Sequence, residues 1–346
     1  MRIVLKVALV LFLTVGAAGC SGSGPDPSAA TDAGRPGGQT PVSVPSGPAA
    51  GAGAGAMGAL RWTTGPRLPV AVSEVGVALL GHEVHVLGGY VHGRAHSTTH
   101  LVYDTVAGRW RRAAPLPVPL DHVGTVALAG RLFAVGGYGA AGTPTTGVYA
   151  YDPASDRWSA RAPLPVARAA AVAVALSGRL HLVGGRSPAG DTGRHDVYDP
   201  ATNRWTLAAP MPTARDHTAA AVVDGVLHVA AGRPGGMAVH EAYDPRTGHW
   251  ATLAPLPFGR SSVAGAALAG RFLVIGGEDA SEQKVYREVD AYDPRTQRWA
   301  RLRRLPAGLQ GVGAVVADGR LLLPGGGPAA GGAQQSDRLL VLSAGR

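Results

Sequence analysis

A chain of 346 residues with one cysteine, Cys20, and two lysines, Lys6 and Lys284, lacks the means for several kinds of chemistry. A lone thiol excludes a disulfide framework, a cysteine-ligated zinc or iron–sulfur centre, and thiol chemistry deep in a domain. Aromatics are scarce at 5% and charged residues at 16%. The uncharged run Val7 to Ala18 rises only about 18–20 Å as a helix, short of a ~30 Å hydrocarbon core. What abounds is turn chemistry: 51 Gly and 27 Pro, well above the roughly 12% of average usage, which argues against a helical protein. With 46% apolar residues the chain can still bury a core. Its 32 basic residues, nearly all arginine, leave a net charge of +9.

Residues 1–20 read as an address. Arg2 and Lys6 form a basic n-region, Val7 to Ala18 a short apolar h-region, and Ala17-Ala18-Gly19-Cys20 resembles a bacterial lipobox. That resemblance implies lipidation of Cys20, export, and anchorage at the outer face of the cell membrane or in the envelope. Residues 21–59 hold 30 Gly, Pro, Ala or Ser in 39 positions and no aromatic, a composition that cannot offset its ordering entropy and reads as a disordered tether.

From residue 60 to 346 one period governs. Tryptophans at 62, 110, 158, 205, 250 and 299 are spaced 48, 48, 47, 45 and 49 apart. Small-residue pairs keep the same spacings: Gly88-Gly89, Gly136-Gly137, Gly184-Gly185, Ala231-Gly232, Gly276-Gly277 and Gly325-Gly326. Each period divides into four short strands; in the second, Thr125 to Leu128 turns at Ala129-Gly130 into Arg131 to Val135. Val148 to Tyr151 then turns at Asp152-Pro153 into a strand opening at Trp158. Four strands per period make a propeller blade. The pattern resembles the kelch repeat, whose marks stand here as the Gly pairs and as Tyr103/Trp110, Tyr151/Trp158, Tyr198/Trp205, Tyr243/Trp250 and Tyr292/Trp299. It implies an all-β, six-bladed kelch propeller with four antiparallel strands per blade. The sixth unit ends at a third strand, Arg338 to Ser343, without a Trp, so the segment Leu60 to Thr63 is expected to complete the last blade.

Hairpin geometry brings the residues after each Leu-Pro entry and after each Gly pair to one face. Three arginines of the first set, Arg168, Arg215 and Arg260, and two of the second, Arg186 and Arg233, fall in blades three to five. They are expected to form a cationic arc for a carboxylate, sulfate or acidic peptide. Tyr90 and Tyr138 supply flat contact opposite, and Glu74, His122, His217 and Glu278 lie beside them. His92, His96 and His100 lack helical stacking and a carboxylate, so no metal is expected there, nor any cofactor. His82 and His85 read as solvent-facing alternation.

The repeat domain's +8, from 29 basic and 21 acidic residues, is spread over turns without aromatic platforms, which argues against nucleic acid as partner. The leading expectation is an exported, lipid-anchored, monomeric binding module for an anionic glycan or protein, more a binder than an enzyme. Galactose-oxidase-like chemistry is excluded by the missing cysteine. The alternative is an epimerase or mutarotase on a carboxylated sugar such as sialic acid, because bacterial sialic-acid epimerases resemble six-bladed kelch propellers. Acid–base groups for it would come from Glu74, Glu278, His122 and His217.

Overall fold

The computed structural model describes residues 60–281 and 283–345; the segments expected to be a signal peptide and a tether, with Cys20, lie outside the described residues. Six four-stranded antiparallel sheets follow the period read from the sequence. Blade two runs Gly124–Leu128, Arg131–Val135, Val148–Asp152 and Arg157–Ala160, from the axis outward. Its second strand, Leu-Phe-Ala-Val after Arg131, is buried along four residues because blades cover both its faces. The outer strand alternates exposed residues with Trp158. Ala129 and Gly130 both take left-handed φ (50° and 72°), the two-residue turn that suits the twist of a hairpin.

Innermost strands Gly76–Leu80, Gly124–Leu128, Val172–Leu176, Ala219–Val223, Ala264–Leu268 and Val315–Ala317 touch in a closed cycle around the axis. The sixth sheet is completed by Leu60–Thr64, which pairs with Leu339–Ala344 and sets Trp62 opposite Leu342. The first and last described strands therefore share one sheet, and two edges that would otherwise be free are paired.

Three rings of hydrogen bonds join blade to blade. On the outside, each tryptophan indole donates to a carbonyl of the preceding blade's exit: Trp110 to Pro66, Trp158 to Ala114, Trp205 to Ala162, Trp250 to Ala209, Trp299 to Ala254 and Trp62 to Arg303. In the middle, the second residue of each small pair donates to the next blade's entry: Gly89 to Leu120, Gly137 to Arg168, Gly185 to Arg215, Gly232 to Arg260, Gly277 to Leu309 and Gly326 to Val72, all at 2.8–3.0 Å. Glycine is needed here because a Cβ on Gly89 would stand 2.4 Å from the Ser73 carbonyl. The third ring, on the axis, carries the site described below.

Between the blades lie three buried histidine pairs. His85 faces His100 at 2.9 Å, His181 faces His195 at 2.8 Å and His228 faces His240 at 3.0 Å. His100, His195 and His240 donate through Nδ1 to Ala114, Ala209 and Ala254, carbonyls that also accept a tryptophan of the next blade. Each also meets the next blade's tyrosine edge-on, at 4.5–4.7 Å between centroids. The expectation of a solvent-facing His85 is thus wrong: it is 0% exposed, because second strands are sandwiched and alternation does not apply to them.

Burial pulls these six imidazoles down to about 3 or 4 from an ordinary 6.5. Folding therefore favours the neutral form. Their contribution is complete above about pH 6.5 and is lost as pH falls through the window down to about 4. Chemical unfolding followed between pH 7.5 and 4.5 should show that loss. Giving blade four the blade-five solution, His228→Leu with His240→Val (Leu273 and Val289 stand there), should shrink it; an unchanged pH slope would contradict this account.

Candidate functional site

The structure does not bring Arg168, Arg215 and Arg260 to the mouth. They are 1%, 0% and 0% exposed and lie inside their own blades. Each meets a buried carboxylate from the third strand: Asp196, Glu241 and Asp290, respectively. Other guanidinium donors feed backbone carbonyls, as Arg260 does Gly276 at 2.9 Å and Val274 at 3.2 Å, while Arg168 Nε and Arg260 Nη1 have no hydrogen-bond partner. In blades one, two and six the same two places hold Val72 with Leu101, Leu120 with Tyr149, and Leu309 with Leu340. Arginine thus comes with an acid and an aliphatic comes with an apolar partner. These arginines fill the blade; they do not recognise a ligand.

A buried ion pair of this kind is costly to break and cheap to replace whole. Asp290→Ala alone should cost about 3–5 kcal/mol. Arg260→Leu with Asp290→Leu, copying blade six, should restore most of that in urea unfolding. A double variant as unstable as the single would show that the pair is doing something other than packing.

The residues two positions further on form the third ring. Glu74, His122, Ala170, His217, Ser262 and Gly311 all take left-handed φ, between 48° and 57°. Each N–H donates to the carbonyl of its counterpart in the previous blade: His122 to Glu74, Ala170 to His122, His217 to Ala170, Ser262 to His217, Gly311 to Ser262 and Glu74 to Gly311, at 2.6–3.1 Å. That cycle points the side chains of Glu74, His122 and His217 together on the axis. One ligand atom of each lies within 4.8 Å of the others.

Their neighbours divide the two histidines. His122 lies between two carboxylates, Glu74 at 3.1 Å from its Nε2 and Asp121 against its Nδ1. Burial lowers its pKa, but the Glu74 charge and the Asp121 hydrogen bond outweigh it and push it up to about 10. Burial would likewise raise Glu74, yet His122 holds it at about 2. His217 is 4.8 Å from His122 between ring centroids. Asp216 lies 2.8 Å from its Nδ1, and Glu74 stands further off. Burial and the His122 charge keep it below its ordinary value. Asp121 and Asp216 were missed by the sequence reading. The signal was present: Asp-His stands at equivalent positions of blades two and four.

The ring of residues after the Gly pairs bridges to this one, as expected: Ser73 with Tyr90, Asp121 with Tyr138, Ala169 with Arg186, Asp216 with Arg233, Ser261 with Glu278 and Gln310 with Gly327. Tyr90 and Tyr138 meet His122 edge-on at 5.7 and 5.3 Å. Burial, with Asp121 and Glu74 nearby, pushes the Tyr90 phenol up to about 12. Arg186 and Arg233 remain at the mouth, but each has an acid: Asp191 at 3.0 Å, and the buried Glu278. The expected bare cationic arc is therefore a balanced one. Of the three loop histidines, His100 is paired inside the sheet and His96 binds Asp121.

Glu74, His122 and His217 are also a donor set that a divalent cation accepts, with both Nδ1 atoms held by aspartates. His122 has its Nε2 committed to Glu74, so a cation would have to displace a proton there.

The KLHDC2/KLHL20/DRC7 Kelch-repeats domain matches residues 74–255, and the Kelch motif matches residues 259–306. Among solved structures, one titled "Structure of YjhT" is similar in fold, with a TM-score of 0.69 at 19% identity, over 80% of this chain and 96% of that one. No curated protein matches. The expectation of a binder rather than an enzyme is corrected here. The fold spans nearly the whole of YjhT, and the axis carries Glu74 and two Asp-His dyads where a cationic rim was expected.

Proposed function

For this chain, which belongs to the kelch-repeat family, we propose that the axial cluster is the active site of an enzyme interconverting the anomers of a carboxylated sugar, of the sialic-acid class. The observation that carries this is the opposed pair of Asp-His dyads. One imidazole is held protonated, the other below its ordinary value, 4.8 Å apart on the axis. Two groups of one type whose environments push their pKa values apart are an acid and a base.

Anomer exchange needs both. A base removes the proton of the anomeric hydroxyl, an acid protonates the ring oxygen, and the bond between ring oxygen and anomeric carbon breaks to leave an open-chain ketone. Closure on the other face of that carbonyl returns both protons. His217, its Nδ1 held by Asp216, offers Nε2 as base. His122, clamped by Asp121 and Glu74, is the donor. The two act against each other: a proton arriving on His217 raises the positive charge beside His122 and eases its release. Tyr90 and Tyr138 wall the space with flat faces, and Tyr90 keeps its proton at any physiological pH. Arg233, its side chain 35% exposed, is the cation nearest to hand for a carboxylate.

Proton exchange between anomers of sialic acid, read by saturation-transfer NMR, should be faster with the protein than in buffer. His217→Gln should lose about 10²–10⁴-fold of that acceleration with the fold intact. Absence of acceleration by the wild-type chain would end this reading.

The N-terminus gives the enzyme a place. A lipobox-like approach to Cys20 after a short apolar run supports export and lipid anchorage, with residues 21–59 as the tether. Cys20→Ala should then release the mature chain from membranes or stall its processing. A variant that stays with the membrane fraction after salt washing would put the anchor elsewhere.

A further inference from the structure

Glu74, His122 and His217 stand at the mouth of the propeller, yet their side chains are 8%, 9% and 5% exposed. The blade-six loop between Gly327 and Ser336 comes down on them. A Cβ on its Gly332 would stand 3.2 Å from the Glu74 carboxylate and 3.3 Å from the Tyr90 ring. The loop is tied by polar contacts: Ser73 Oγ to the Gly332 carbonyl (3.3 Å), Gln310 Nε2 to the Ala329 carbonyl (3.1 Å), and the Gln335 amide to Gly93, N–H at 3.1 Å and carbonyl at 2.5 Å. At its tip Gly331 lies between the Arg94 guanidinium and the Glu278 carboxylate. Its carbonyl accepts from Arg94. Its N–H donates to Glu278 Oε2 at 2.7 Å, and the other Glu278 oxygen accepts from Arg233.

We propose that Arg94 and Arg233 bind the carboxylate of the substrate, and that the Gly331 peptide and Glu278 occupy them until it arrives, with loop 328–335 as the lid that the acid unlatches. The substrate class rests on the function proposed above; the latch rests on the contacts alone. Hydrogen bonds from a guanidinium to a carboxylate are roughly twice as strong as neutral ones. An incoming acid therefore outcompetes the Gly331 carbonyl for Arg94, and the tip of the loop loses one of its ties to blade one, leaving those of Ser73 and Gly93. A loop rich in Gly and Ala and held by polar contacts opens at small cost, because little apolar surface is uncovered. Arg94 is exposed, so its replacement should leave the fold intact. Arg233 is a poorer probe, since it is also the ion-pair partner of the buried Glu278.

The test uses the full-length chain in detergent with two probes, sialic acid and its uncharged methyl ester. Sialic acid should speed amide hydrogen exchange of the Gly331 segment or shift its pattern, and the ester should not. Arg94→Ala should weaken sialic-acid binding about ten- to a hundredfold in calorimetry and narrow the difference in affinity between the acid and its ester. Equal affinity of Arg94→Ala and wild type for the acid, or exchange in 328–335 indifferent to it, overturns the proposal. Lid response and binding without anomer exchange would instead overturn the catalytic reading and leave this one standing. No binding of either probe by the wild type sinks both.

Discussion

Six backbone hydrogen bonds running nose to tail around the axis hold the molecule to its purpose. Each joins one residue of a blade to its counterpart in the neighbour, and the circle closes from Gly311 to Glu74 and back through Ser262. To reach its neighbour, each of the six must adopt left-handed φ, which costs an ordinary residue roughly 1–2 kcal/mol. Yet glycine, which escapes that cost, occupies only the sixth place. Strain accepted at five positions places side chains on the axis that glycine could not supply. Even Gly311 is explained by that purpose, for a Cβ there would stand 2.4 Å from the Glu74 carboxylate.

Around that ring the blades are near copies, and the deviations come in matched sets. Where the entry holds arginine, the third strand answers with Asp196, Glu241 or Asp290; where it holds Val72 or Leu309, the answer is leucine. Histidine on the second strand meets histidine on the third in blades one, three and four. Phe133, Leu273 and Leu322 meet Val148, Val289 and Leu339 in the others. Tight packing leaves no room for a lone polar group between blades, since an unpaired one costs its full desolvation. Polar pairs therefore appear and vanish whole.

This explains what was legible in the sequence and what was not. The period, the four strands and the closing N-terminal strand could be read because Trp, Gly pairs and Tyr recur at every blade, wherever the backbone makes the same demand. Arg168, Arg215 and Arg260 misled because a residue's distance from Leu-Pro tells where along the hairpin it stands, not whether the neighbouring strand buries it. Comparing blades with one another would have flagged them, since their acids change in step. The same comparison separates Glu74, His122 and His217, whose counterparts Ala170, Ser262 and Gly311 share no chemistry with them. The loop over the mouth could not be foreseen: its contacts run through Gly331 and Gly332 backbone, which carry no side-chain signal.

A propeller with six equal blades has an axis on which nothing distinguishes one direction from another, and a reaction that must take a proton on one side and give it on the other cannot run there. Here the symmetry is broken at the ring itself. Asp-His is placed in blades two and four, an alanine between them, and a glutamate only beside the first. That glutamate, with Asp121, raises His122, while burial, the charged His122 and Arg233 lower His217. In the function proposed here, Glu74 is the group that most separates the two dyads, each otherwise an imidazole on an aspartate. The closed backbone ring supplies the convergence and one unmatched carboxylate supplies the direction.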